Sequence, residues 1–334
     1  MNGGRHYNAV SMELDLFKAF VAVAEVRSFR RAAGNLYVSQ PTISRQIARL
    51  ERELGTQLFE RYGRHVECTL SGQFLLPLAQ SIIARTDETV SLMREQAGAG
   101  LTGARFGATG MVFAHLLLPI VTRFITAYPT VKLDLVERED VRLEERVISG
   151  ELDCAVITSW GPTRAATKHL LAEEFVLVVA RGHPLASLPA VALSALANEP
   201  LLFPGPDMNV SNVLADACRR AGFEPRIAYR ANYPELLRNL VRAGLGVLPI
   251  VTSLSAPEDL GELVAIPFRE RVVRDLVLIY PWDRPLPAAA RTLMALIQTG
   301  VSSMTANSAK PRERSDRSRR PRRTVDKAPG PPTL

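Results

Sequence analysis

Residues 28–61 read SFRRAAGNLYVSQPTISRQIARLERELGTQLFER, and the spacing of their apolar positions decides how this part of the chain folds. Ser39 is a good N-cap ahead of Gln40, and Pro41 falls in the first helical turn, where backbone N–H groups have no intrahelical partner. Ile43, Ile47, Leu50 and Leu54 recur at intervals of 4, 3 and 4 residues, which is one stripe of an α-helix. The far side carries Pro41, Thr42, Arg45, Ala48, Arg49 and Arg52, with Gln40 and Ser44 flanking the first turn. Gly55 ends the helix at the position where a left-handed residue is favoured. Upstream, Ser28 caps a short helix whose Ala32, Ala33 and Leu36 admit a close neighbour, and a tight turn passes through Tyr37 and Val38. Helix, turn and capped second helix are the parts of a helix-turn-helix, whose second helix lies in the major groove. The competing reading is a pair of surface helices with a solvated arginine face. Caps, small-residue packing and stop signal falling in register favour the DNA-reading arrangement.

These residues also sit in a longer pattern: Met12-Glu13-Leu14, Phe20-Val21-Ala22-Val23-Ala24-Glu25, Ser28-Phe29, Ala32-Ala33, Val38-Ser39-Gln40-Pro41, Ser44-Arg45-Gln46-Ile47, Leu50-Glu51, Glu53-Leu54-Gly55, Leu58-Phe59-Glu60-Arg61 and Thr69-Leu70 with Gly72. At these spacings the chain resembles the LysR-type transcriptional regulators. The resemblance implies a winged helix-turn-helix over 12–71, with Gln40, Pro41, Ser44 and Arg45 approaching the bases. It also implies that the wing Arg64-His65-Val66-Glu67 touches the DNA backbone, with Glu67 in place of the usual basic residue. The expected DNA-binding set is Ser39, Gln40, Pro41, Thr42, Ser44, Arg45, Arg49 and Arg64, with Arg49 reaching a phosphate. The family's first methionine matches Met12, so residues 1–11 read either as a disordered leader or as an artefact of start-site choice.

The chain has 334 residues, 47% of them hydrophobic, enough for two or three cored domains. Its net charge of +7 is local: between Lys310 and Lys327 nine Lys/Arg face three acidic residues, leaving about +1 elsewhere. Residues 12–72 hold nine basic and seven acidic residues, so the head depends on where its arginines point. Cys68, Cys154 and Cys218 form no CxxC pair, which indicates neither a disulfide framework nor a zinc site. No apolar run approaches the ~20 residues of a spanning helix, and the N-terminus lacks a signal-peptide core. The expected location is the cytoplasm, with no membrane partner.

Residues 72–102 read as a linker helix followed by a Gly-Ala hinge. Leu75, Ala79, Ile82, Thr86 and Met93 keep the 3.5-residue average of a two-helix seam, with Thr86 weakening the stripe. Such a helix packs either on its own domain or across a dimer. Similar helices in the family pair between subunits, which implies a homodimer or homotetramer with Leu75, Ala79, Ile82 and Met93 in the seam.

Residues 103–301 alternate strands and helices, the rhythm of a mostly parallel sheet with helices on both faces. Strands are expected at 105–108, 131–137, 154–158, 175–180, 201–203, 226–230, 247–250 and 272–280, and helices at 113–127, 141–149, 210–221, 234–243 and 287–298. Leu117-Leu118-Pro119, Tyr128-Pro129, Gly150-Glu151-Leu152-Asp153, His183-Pro184-Leu185 and Gly244-Leu245-Gly246-Val247-Leu248-Pro249 resemble the effector domain of the same regulators. This implies a two-lobed α/β domain of the periplasmic binding protein type, lobe I at 103–162 and 268–301 and lobe II at 163–267. In open α/β sheets ligands bind beyond the carboxyl ends of strands, which singles out Thr109, Gly110, Met111, Thr158, Ser159, Phe203 and Asn232. Each also suits an ordinary cap or turn; their convergence on one cleft is the argument for a small-molecule effector, whose identity the sequence does not give.

Residues 302–334 have few apolar side chains and read as a basic disordered tail, adding non-specific DNA attraction or serving as a solvated extension. An enzyme is disfavoured: there is no P-loop, G-x-S-x-G or H-E-x-x-H. A periplasmic solute-binding protein is disfavoured by the helix-turn-helix. The expected partners are double-stranded operator DNA and, for an activator, RNA polymerase; no cofactor or metal is expected.

Overall fold

The computed structural model describes residues 13–62, 65–97, 101–254 and 260–308. The expectations for the leader, for Arg64 and for the tail from 309 onward lie outside these residues.

The head is built from α1 (Leu14–Val26), α2 (Phe29–Asn35), α3 (Gln40–Leu54) and a wing of two antiparallel strands, β1 (Phe59–Tyr62) and β2 (His65–Cys68). Ser39 caps α3 through the Thr42 N–H at 3.3 Å, and Gly55 closes it at φ 69°. Ile43, Ile47 and Leu50 of α3 bury against Phe20, Val23 and Leu58. Phe59 pins the wing to this core, its ring 5.3 Å from Phe20 and 5.9 Å from Phe29. Gly72 lies against the Leu58 carbonyl, where a Cβ has no room.

The 27-residue α4 (Leu70–Gln96) carries Pro77 inside it. The expected seam is corrected here. Ala79 is fully buried in the head core and Leu75 packs against that core, so both belong to the head's own packing. Ile82 and Met93 are exposed, and the outward apolar stripe is Leu70, Phe74, Leu78 and Ile82. The helix has two apolar faces, and periodicity alone mixed them, taking Leu75 and Ala79 from the inner face and Ile82 and Met93 from exposed positions.

The effector domain contains β3 (Gly103–Ala108), α5 (Gly110–Val112), α6 (Leu118–Ala127), β4 (Lys132–Glu137), α7 (Asp140–Ser149), β5 (Cys154–Thr158), β6 (Ala166–Ala180), β7 (Leu201–Phe203), α8 (Asn209–Arg220), β8 (Ile227–Arg230), α9 (Pro234–Arg242), β9 (Leu248–Val251), β10 (Leu263–Pro267), β11 (Val273–Tyr280) and α10 (Ala288–Ser308). Strand β5 shows why the domain is layered. Cys154 and Val156 face the core with α6 and α10, while Ala155 and Ile157 face the core with α7, as alternate strand residues must.

The sheet is mixed rather than mostly parallel. Strand β3 pairs parallel with β4 and β5, and β7 with β8, but β11 is antiparallel to β5 and β6, and β6 is antiparallel to β9 and β10. The cause is β6, a 15-residue strand of which only 175–180 was legible, because its first half, ATKHLLAEE, is largely exposed. That half pairs with β11 and the second half with β9 and β10, so the lobes meet within β6 near Glu174 rather than at 162.

Three further expectations change. The helix expected over 113–127 is a short α5, a π-turn at Phe113–Leu117 and then α6; Pro119, which cannot donate, interrupts the regular ladder. At 18 residues, 110–127 is also apolar enough to match a membrane-crossing length, yet it buries Leu117, Ile120, Val121 and Phe124 in lobe I. Finally, 302–308 continue α10 and do not belong to the tail.

Candidate DNA interface and effector cleft

Gln40, Pro41, Arg45, Ala48 and Arg52 are exposed on one side of α3, opposite the buried stripe. Arg45 reaches back only to the Pro41 carbonyl, at 3.4 Å, and no ion pair among the described residues engages it. Ser39 and Thr42 are occupied with each other, their hydroxyl oxygens 2.8 Å apart, and Ser44 lines a groove with Phe29, Glu51 and Gln57. Arg49 is placed differently from the expectation. Its Nε donates to Glu53 at 2.8 Å and its Nη1 to Glu13 at 2.9 Å, and the hydrogen bonds to Glu53 and Glu13 raise its pKa. A guanidinium held by two carboxylates braces α3 against the start of α1 and is a poor phosphate ligand.

In the effector domain two adjoining cavities meet at Thr109, Met111, Met208 and Asn232. The outer one, about 360 Å³, is also lined by Gly110 and by Glu137, Arg138, Glu139 and Tyr233. The inner one, about 60 Å³, has mostly apolar walls that include Phe175, Leu214, Leu237, Ile250 and Leu254, with Arg274 as its one charged lining residue. Arg274 is buried and ion-paired with Glu173. Thr109 is buried at 5% exposure, and its hydroxyl makes no capping bond to the helix it precedes.

Thr109, Gly110, Met111 and Asn232 therefore come together. Thr158, Ser159 and Phe203 do not line these cavities. Phe203 is fully buried in the lobe II core, as are Leu201 and Leu202, the other residues of β7. Ser159 is exposed and its N–H donates to the backbone carbonyl of Asp275 at 2.8 Å. Thr158 belongs to a buried cluster that joins the lobes: its N–H donates to Asp140 Oδ1 at 2.9 Å, the Asn209 N–H donates to Asp140 Oδ2 at 2.8 Å, and the Asn209 side-chain amide donates to the Thr158 carbonyl at 2.8 Å. Sequence reasoning missed Asp140 and Asn209; both open helices, which is the only local signal they carry.

Burial lifts the Asp140 carboxyl from its ordinary 3.8 to about 6, against the opposing pull of the Thr158 and Asn209 N–H groups and Arg274. Because the folded-state value lies above the unfolded one, the stability tied to this proton is fully present below about pH 4 and is lost as pH rises through about 6, on the order of 3 kcal/mol. We expect the unfolding free energy of the wild type, measured relative to Asp140→Asn, to fall between pH 4 and pH 7. A difference that stays flat, or that grows with pH, contradicts this.

Residues 14–73 match the family described as bacterial regulatory helix-turn-helix protein, lysR family, and residues 104–302 match the LysR substrate binding domain. The chain is 30% identical over 291 residues to the HTH-type transcriptional regulator XapR of Escherichia coli K12, covering 86% of this chain and 98% of that one. It is 33% identical over 282 residues to the hydrogen peroxide-inducible genes activator of Dickeya chrysanthemi, covering 84% and 87%. The structure of full-length CbnR complexed with its target DNA shares the fold, with a TM-score of 0.63 at 23% identity, covering 86% of this chain and 100% of that chain. With a DNA-reading head and a two-lobed substrate-binding domain, this chain belongs to the LysR family of transcriptional regulators.

Proposed function

We propose that the chain couples operator binding by the head to a small, reversibly bound effector in the cleft at Thr109. It acts without catalysis or a cofactor, as a homodimer or homotetramer in the cytoplasm, with RNA polymerase as a further partner where it activates. The observation that carries the effector reading is Thr109, a largely buried residue at the junction of both cavities whose hydroxyl makes no capping bond to the helix it precedes and is open to a ligand from the cleft. A hydrogen bond between that hydroxyl and a ligand polar atom contributes about 0.5–1.5 kcal/mol. An outer cavity of about 360 Å³ falls in the range of small-molecule sites. The inner one adds room for a short apolar branch behind Met111 and Met208, whose flexible side chains suit a gate. Glu137 and Glu139 beside Arg138 make a neutral or zwitterionic polar group a better fit than a simple anion.

Thiol oxidation is a weaker alternative for this chain, although one relative is named for hydrogen peroxide. Cys154 and Cys218 are buried, and burial pushes Cys218 up to about 11 and Cys154 higher still. Cys68 is half-buried, and burial raises its pKa as well; the thiolate is the reactive form, so all three sulfurs are poor sensors. Thr109→Trp should fill the junction, leaving affinity for the intergenic DNA beside the chain's own gene near normal while abolishing regulated transcription of a reporter fused to that DNA. Wild-type regulation by this variant would place the effector elsewhere.

A further inference from the structure

Tyr37 ends α2 in a conformation that its side chain opposes. The Tyr37 N–H donates to the Gly34 carbonyl at 3.2 Å and the Val38 N–H to the Ala33 carbonyl at 3.0 Å, a paired closure in which the residue after the C-cap is left-handed and is usually glycine. Tyr37 adopts it at φ 55°, where a Cβ crowds the backbone. A strained residue normally recovers the cost through packing. Tyr37 does not: its side chain is 96% exposed, the most exposed large hydrophobic side chain among the described residues.

Its place in the fold says what could repay it. Tyr37 stands two residues before the Ser39 N-cap, at most about 7 Å along the chain, at the end of α3 that carries Gln40 and Pro41. In a helix-turn-helix this end of the second helix enters the major groove between two phosphate backbones. A phenol at that rim has an apolar ring to lie along the sugar edge and a hydroxyl to donate to a phosphate oxygen, and tyrosine is among the side chains that make such contacts. We propose that Tyr37 is a DNA-contacting residue, its hydroxyl donating to a backbone phosphate as α3 enters the groove. The contact sets the depth and angle of the helix and carries no base preference. This rests on the DNA-binding reading of the head.

The test uses full-length protein, wild type, Tyr37→Gly and Tyr37→Phe, titrated by fluorescence anisotropy against the intergenic duplex and a scrambled duplex of equal length, with thermal unfolding run in parallel. Tyr37→Gly should melt higher than the wild type, since glycine relieves the backbone, and yet bind both duplexes about tenfold more weakly. Tyr37→Phe, which keeps the backbone and ring, should show the same loss on both. Wild-type affinity in Tyr37→Phe overturns the hydroxyl–phosphate contact. A loss confined to the intergenic duplex overturns the phosphate assignment, and unchanged binding by Tyr37→Gly overturns any role for the side chain. Wild-type protein that binds neither duplex refutes the DNA-binding reading and Tyr37 with it, a result distinct from all of these.

Discussion

Arg45→Ala weakens binding to the operator by roughly 10- to 100-fold while leaving affinity for unrelated DNA within about twofold. The expected size follows from a bidentate guanidinium–guanine contact, ~1–3 kcal/mol of discrimination. Arg45 is exposed on the second turn of α3, and its one recorded bond, to the Pro41 carbonyl at 3.4 Å, is long. Among the described residues nothing in the head competes strongly for its fork, so the free protein gives up little to present it to a base. Arg49, four residues further on, gives the contrast. It is committed to Glu53 and Glu13, so Arg49→Ala should loosen α1 against α3 and lower the melting temperature of the head, with a smaller and sequence-independent effect on DNA. Anisotropy on matched operator and scrambled duplexes separates the two outcomes.

Phe74→Glu should convert the assembly to monomers and lower operator affinity by about 100-fold or more, the size of the avidity lost when two linked half-site contacts become independent. Phe74 is 75% exposed on the outward stripe of α4 and is followed at intervals of four by Leu78 and Ile82. Large apolar side chains in a row along the outward face of a helix favour burial against a symmetry mate, at about 1.5–3 kcal/mol for each one fully buried. A glutamate on this stripe places like charges together where neither is solvated. Ile82→Glu should act in the same direction with a smaller effect, being 41% exposed. Sedimentation velocity reads the outcome; a Phe74→Glu protein that sediments like the wild type would remove α4 from the interface. Because Phe74 lies outside the head core, the melting of the head should not change.

How much of this was legible follows from where the physical signals are local. The caps at Ser28 and Ser39, the stop at Gly55 and the stripe Ile43, Ile47 and Leu50 are read within a few residues of themselves, and α2 and α3 lie where those signals put them. Thr109, Gly110 and Met111 follow from one strand-to-helix junction. What failed depended on distant partners. The polar first half of β6 gains its strand identity from β11, about a hundred residues later, and nothing in ATKHLLAEE announces that. Ala79 points into the head because α1 packs there, not because of its own spacing. Arg49 carries the same side chain as a phosphate ligand, and Glu53 one turn on together with Glu13, 36 residues upstream, takes it out of that role. The cluster of Asp140, Thr158 and Asn209 is assembled from three segments whose individual residues look like ordinary helix and strand ends.

The measurement that bears most directly on a head that reads sequence through α3 is a thermodynamic cycle across the interface. Each guanine of the footprinted operator is replaced in turn by 7-deazaguanine, which lacks the N7 acceptor, and the dissociation constants of wild type and Arg45→Ala are measured on every duplex. The expected result is one guanine per half-site at which the wild type loses about 1 kcal/mol or more and Arg45→Ala loses nothing, because the partner of that acceptor is already gone. If the losses of protein and DNA substitutions simply add at every guanine, Arg45 reads no base, and α3 does not read the operator through it.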